Sequence, residues 1–153
     1  HSFFDKQLLS RNFKISRGRT EILLSEISIE SLLNKNEYLA VSNNIERAEL
    51  LNLFETTGFT EAYFVDDDGK LVGKTKVNSI LSERGPNLIQ ENNPLYLEKL
   101  SSISDAIIKV SNFVGESVPV TDELGILMGV VTESDLFLEY LKVQDQISDI
   151  EKD

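Results

Sequence analysis

The sequence predicts a mixed α/β protein of two tandem repeats, each running strand-helix-strand-strand-helix, with two small sheets packed together and helices between them. The stretch Gly129-Val130-Val131-Thr132-Glu133-Ser134-Asp135-Leu136 is a β-branched apolar run that breaks at a threonine, with an aspartate three residues on. That is the pattern of a strand delivering its end to the start of a helix. A weaker copy, Gly73-Lys74-Thr75-Lys76-Val77-Asn78-Ser79-Ile80, lies 56 residues earlier. Both copies follow an apolar strand and an acidic turn, Val65-Asp66-Asp67-Asp68-Gly69 answering to Val120-Thr121-Asp122-Glu123-Leu124-Gly125.

In the first repeat, Tyr38-Leu39-Ala40-Val41 reads as a short strand, and Asn43-Asn44 offers caps to a helix whose apolar face holds Ile45, Ala48, Leu51 and Phe54. Gly58 is its expected terminator. Residues 61–65 form a second strand, the acidic turn with Gly69 reverses the chain, and 71–77 form a third. A short helix through Ile80 and Leu81 then ends at Gly85-Pro86. After a polar linker over 87–94 the order returns. Leu95-Tyr96-Leu97 stands for the first strand, and Ser102 precedes a helix bearing Ile103, Ala106, Ile107 and Val110, with Asp105 at capping-box spacing and Gly115 as the close. Residues 117–120 and 126–131 are the paired strands, and a final helix carries Leu136, Tyr140 and Leu141. Past Val143 the chain turns polar and acidic and is expected to fray. The organisation is a connector over 1–24, repeats over 25–86 and 87–145, and an acidic tail over 146–153.

A chain of 153 residues with 41% hydrophobic content can close one core or two small ones that share an interface. There is no cysteine, hence no disulfide framework and no thiolate chemistry. The single histidine is His1, which disfavours metal, serine-hydrolase and cysteine-hydrolase sites built on histidine. An opening histidine also suggests a piece of something longer. The net charge of −11 argues against a nucleic-acid partner. Its distribution is uneven: Lys6, Arg11, Lys14, Arg17 and Arg19 against Asp5 give residues 1–19 a local +4 and leave −15 for the rest. Phe3, Phe4, Leu8 and Leu9 suit one side of a short helix within this connector. The chain has no run of about 18 apolar residues, so no segment suits a bilayer-spanning helix.

Thr132 and Asp135 admit two readings. In one they form a capping box, the hydroxyl and the carboxylate each taking a free backbone N–H. In the other the same junction meets a ligand: free N–H groups and a hydroxyl suit a phosphate, and a carboxylate suits the paired hydroxyls of a ribose.

The order of elements, the apolar strand into Gly129-x-x-Thr132-x-x-Asp135 and the duplication resemble a pair of CBS domains, covering roughly residues 25–143. The resemblance implies a regulatory ligand, an adenine nucleotide (AMP, ADP or ATP), in a cleft between the repeats, with Thr132 and Asp135 at the phosphate- and ribose-contacting positions. It implies that the other repeat completes the cleft through backbone groups of Leu39, Ala40 and Val41 near the adenine edge and through Gly58, Phe59 and Thr60. Phe59 either flanks the base or is plain core. Pro119 keeps a proline frequent in the family's second strand, whereas Ala62 is its counterpart in the first repeat. That repeat departs from the motif, with Lys76 where threonine is expected and Ser79 where aspartate is expected, so one competent site is predicted rather than two. Lys74 and Lys76 read either as phosphate partners or, more simply, as solvated residues of a strand edge.

The connector, Ser2-Phe3-Phe4-Asp5-Lys6-Gln7-Leu8-Leu9-Ser10-Arg11 and then Gly18-Arg19, resembles the segment that leaves the last membrane helix in CBS-bearing CLC chloride channels and transporters. A solvated basic arm is the plainer reading. The resemblance implies a domain at the cytoplasmic face of the cell membrane that modulates chloride transport, joined to a membrane domain of the same chain and assembled as a homodimer. The alternatives are a ligand-free dimerisation and assembly module, or the same regulatory pair on another transporter or a metabolic enzyme. No enzyme activity is expected: nucleophile–base pairs, metal clusters and a P-loop are missing, and Asp66-Asp67-Asp68 suits a turn better than a metal.

Overall fold

The computed structural model describes residues 19–83, 85–113, 115 and 117–152, and the side chains of these up to residue 147. The expected short helix around Phe3, Phe4, Leu8 and Leu9 lies outside the described residues. Helix α1 spans Arg19–Glu26 and is followed by a 3-10 turn over Ile29–Leu32. The first repeat comprises β1 (Ala40–Ser42), α2 (Arg47–Thr57), β2 (Glu61–Val65), β3 (Leu71–Lys76) and α3 (Val77–Ser82). The second comprises β4 (Leu97–Glu98), α4 (Ile103–Val110), β5 (Ser117–Thr121), β6 (Leu127–Thr132) and α5 (Glu133–Lys152).

Each repeat builds one three-stranded sheet with the same pairing. β1 runs parallel to β2, with Val41 opposite Phe64, and β2 runs antiparallel to β3, with Tyr63 opposite Lys74. In the second sheet Leu97 lies opposite Val120 and Pro119 opposite Val130. Both sheets shift register at one equivalent point, between Phe64 and Val65 and between Val120 and Thr121. The acidic turns are equivalent too. The Asp66 carboxylate accepts the amides of Asp68 and Lys70, and that of Asp122 accepts those of Leu124 and Ile126, with Gly69 and Gly125 at φ near +85°. The two turns then bond to each other, Leu71 N–H to Gly125 and Leu127 N–H to Gly69, both at 3.0 Å.

The element boundaries differ from the sequence expectation where side chains act locally. α2 begins at Arg47 rather than at Asn43-Asn44, because the Ser42 hydroxyl and carbonyl take the amides of Asn44 and Ile45 into a turn first. Its buried face is Leu50 and Phe54, with Ala48 exposed and Ile45 and Leu51 half-buried. α3 stops at Ser82, short of Gly85-Pro86, and the Arg47 guanidinium collects the carbonyls of Ile80, Glu83 and Gly85 beyond it. α4 ends at Val110 with Ser111 as its cap, so Gly115 does not close it. The final helix does not end near Val143 but runs to Lys152, because Leu136, Tyr140, Val143 and Ile147 continue one buried stripe.

The repeats exchange their leading segments. α1, placed in the connector by the sequence, buries Thr20 and Leu24 and packs against α4 and α5 of the second repeat. Ile29, ahead of β1, joins the same core, with Ile29 N–H on Ser101 and Ile103 N–H on Ile27, both at 2.9 Å. Conversely Leu88 and Ile89, in the linker, pack on the first repeat's core. The exchange is sealed by two equivalent bridges: Asn34 bonds both ways with Val130 of β6, and Glu91 both ways with Lys74 of β3. Gly129 and Gly73 permit this approach, since a Cβ at Gly129 would lie 2.6 Å from the Asn34 carbonyl oxygen and one at Gly73 would lie 3.1 Å from that of Glu91.

Candidate functional site

Thr132 is the last residue of β6 and Asp135 lies in the first turn of α5. Strand alternation separates the two faces here. Val131 and Val118 point into the second repeat's core, whereas Thr132 pairs with Ser117 on the opposite face. That opposite face meets the first repeat, because the Tyr63 hydroxyl lies 2.9 Å from the Ser117 hydroxyl and donates to the Ser117 carbonyl at 3.2 Å.

At the junction the capping box is complete. Asp135 N–H donates to the Thr132 hydroxyl at 3.1 Å and Thr132 N–H donates to the Asp135 carboxylate at 3.0 Å. Both side chains are half-buried, held in place and within reach of solvent. The equivalent junction of the first repeat has no such box: Lys76 stands at the cap of α3 without a side-chain cap bond. Lys76 is exposed, but Lys74 departs from the expected solvated edge. It is only 3% exposed and its ammonium lies 3.2 Å from a Glu61 carboxylate oxygen. The bridge to Glu91 and the neighbouring repeat cover this strand, so it is not an open edge.

The remaining predicted residues belong to the first repeat. Leu39 and Val41 are buried in its core and Ala40 is exposed; Ala40 and Val41 line a cavity of about 370 Å³ whose other walls are Ser42, Asn44, Ile45, Glu49 and Leu53. Gly58 ends α2 in the left-handed conformation at φ +78°, its N–H on Phe54. Phe59 is half-buried against the first repeat's core, which favours its packing role, and the Thr60 carbonyl accepts Val77 N–H at 2.8 Å. Thus the structure joins Thr132 to Asp135 directly and keeps Leu39–Val41 and Gly58–Thr60 on the other repeat. The residue of that repeat that bridges to β6 is Asn34, for which the sequence carried no signal.

The assembly was compared with known proteins. Residues 89–142 match the family model described as CBS domain. The cytosolic domain of the Mg2+ channel MgtE, solved in complex with ATP, superposes with a TM-score of 0.65 at 20% identity over 77% of this chain and 50% of that one. The cystathionine beta-synthase pair domain of a putative Mg2+ transporter from Shewanella oneidensis MR-1 gives a TM-score of 0.64 at 20% identity, over 90% of this chain and 89% of that one. The fold is that of a CBS domain pair. A third structure, CBSX2 in complex with AMP, aligns at 17% identity and a TM-score of 0.61, over 77% of this chain and 98% of that one. The chain spans about half the length of the MgtE domain. No curated protein matches its sequence.

Within this fold Glu133, not singled out from the sequence, sits between the two box residues. Burial pushes its carboxyl above the usual carboxylate range. An acid raised in the fold weakens stability above its unfolded pKa, and that cost is relieved as pH falls through the raised value. Its charge also opposes any anion at the junction. Glu133→Gln is therefore expected to tighten binding of a phosphate-bearing ligand a few-fold at neutral pH. Titrations at neutral and mildly acidic pH check this: wild type gains affinity on acidification, and the variant loses that gain.

Among the described residues no group of three or more acidic or histidine side chains is placed to hold a metal ion. No described helix is long and apolar enough to cross a membrane.

Proposed function

We propose that this CBS pair is the cytosolic regulatory module of a membrane transporter and binds one adenine nucleotide per chain at the Thr132–Asp135 junction. The observation that carries the reading is the reciprocal box on the face turned toward the other repeat. It holds a hydroxyl and a carboxylate beside a helix N-terminus, and the first repeat lacks it. The hydroxyl and the helix N-terminus suit a phosphate, and the carboxylate suits ribose hydroxyls. The complexes of the MgtE domain with ATP and of CBSX2 with AMP support an adenine nucleotide as the ligand class. A net charge of −11 favours AMP or ADP over ATP. Nucleotide binding modulates transport if it favours one arrangement of the repeats over another.

The basic segment over 1–19, which resembles the exit from the membrane in CLC proteins, supports a chloride channel or transporter as the parent chain. The same segment supports a position at the cytoplasmic face, where a basic juxtamembrane stretch is favoured. A homodimer through the repeats belongs to the same reading. A second reading, an assembly module without ligand, rests on the fact that the box satisfies Thr132 and Asp135 by themselves.

Calorimetric titration with AMP, ADP and ATP separates the two. Saturation near one nucleotide per chain supports the sensing module. No heat and no thermal stabilisation at millimolar nucleotide would leave the assembly module.

A further inference from the structure

We propose that Lys74 is an internal cation of the second inter-repeat cleft, clasping the second repeat to the first and occupying the space between Tyr63 and Phe113 against an external ligand. Glu61, Tyr63, Lys74 and Lys76 alternate onto the face of their sheet that turns away from the core, as Ala62 and Phe64 turn into it. On that face the Lys74 ammonium lies 5.6 Å from the centre of the Tyr63 ring and 5.2 Å from that of Phe113. Both are within cation–π range. Tyr63 belongs to the same repeat, whereas Phe113 follows α4 of the other one. A Cβ at Gly115 would come within 3.7 Å of the ammonium, so the second repeat's backbone also closes on it.

An ammonium only 3% exposed requires partners. Its contact with Glu61 at 3.2 Å is an ion pair without hydrogen-bond geometry, and this Glu61 oxygen has no hydrogen-bond partner among the described residues. The aromatic faces therefore share in holding the charge. The equivalent residue of the second repeat is Val130, equally buried and bridged through its backbone to Asn34. The charge thus belongs to one cleft only, the one flanked by Lys76 and Ser79 rather than by the Thr132–Asp135 box. A junction with a capping box and one with a buried cation beside it follow from the same duplicated backbone. The exclusion of a second ligand rests on the nucleotide reading above, but the clasp does not.

The test is a double-mutant cycle on urea unfolding of the full chain with Lys74→Met, Phe113→Leu and both. Coupling of about 2- to 30-fold in the unfolding constant is expected from a desolvated cation–π contact. Additive effects would overturn the clasp. Native-state amide exchange gives a second readout: Lys74→Met is expected to speed exchange at Phe113 and Gly115 in the opposite repeat, and unchanged rates would count against it. Should Lys74→Met fail to fold, Glu61→Gln removes the counter-charge and is read by the same exchange. Two nucleotides bound per wild-type chain would refute the exclusion. A wild type that binds none would end the nucleotide reading, and the cycle would still decide the clasp.

Discussion

Asp135→Ala is expected to lower nucleotide affinity about 10- to 150-fold, the loss of one charge-assisted hydrogen bond of about 1.5–3 kcal/mol to ribose. The same change breaks the box, since the carboxylate that accepts Thr132 N–H disappears, and should cost about 0.5–2 kcal/mol of stability. The two effects are separable. Asp135→Asn keeps an acceptor for the Thr132 amide while removing the charge, so it is expected to spare stability and still weaken the nucleotide. Calorimetry and thermal melts on both variants read the two quantities independently. Loss of stability with unchanged affinity would make Asp135 a helix cap alone. Lys76→Ala is the control at the other junction, where Lys76 is exposed and makes no cap bond. It should leave affinity nearly unchanged, and equal loss from both variants would contradict a single site.

Leu24→Ala is expected to destabilise the chain by about 2–5 kcal/mol, the range for truncating a fully buried leucine. Leu24 is 0% exposed and belongs to the second repeat's core with Ile103, Leu136 and Tyr140, although it precedes the first repeat in sequence. The nearby Ile22→Ala is the comparison: Ile22 is 58% exposed, and its truncation should shift stability by no more than about 0.5 kcal/mol. Urea denaturation of the two variants measures the contrast. A small effect at Leu24 would mean that α1 is a tether rather than part of the fold. A large one makes α1 part of the second repeat's core, in the repeat that also carries Thr132 and Asp135.

The repeated pattern was legible because its signals are local. Val65-Asp66-Asp67-Asp68-Gly69 and its counterpart at 120–125 turn the chain with their own side chains and a left-handed glycine. Ser102 caps α4 three residues from Asp105, and Ile103, Ala106, Ile107 and Val110 repeat at helical spacing. The Thr132–Asp135 box formed at the spacing that suggested it. The face of α2 was read only in part because its apolar residues are dense enough to offer two faces; Phe54 is buried as expected, but Leu50 is buried where Ala48 was expected. The end of α5 was missed because polar residues intervene between Val143 and Ile147, and the partner that buries them is α1, more than a hundred residues away.

What the sequence by itself determined is the duplication, the two strand-to-helix junctions and the asymmetry between them, because capping, turn chemistry and periodicity act over a few residues. Only the tertiary structure decided which segments cross. Asn34 meets Val130 and Glu91 meets Lys74 through backbone groups alone, and a backbone bridge leaves no mark in side-chain identity beyond the glycine that allows the approach. It also decided the fate of Lys74. A lysine on a strand reads as solvated until the other repeat brings Phe113 against it, since burial is set by residues distant in sequence.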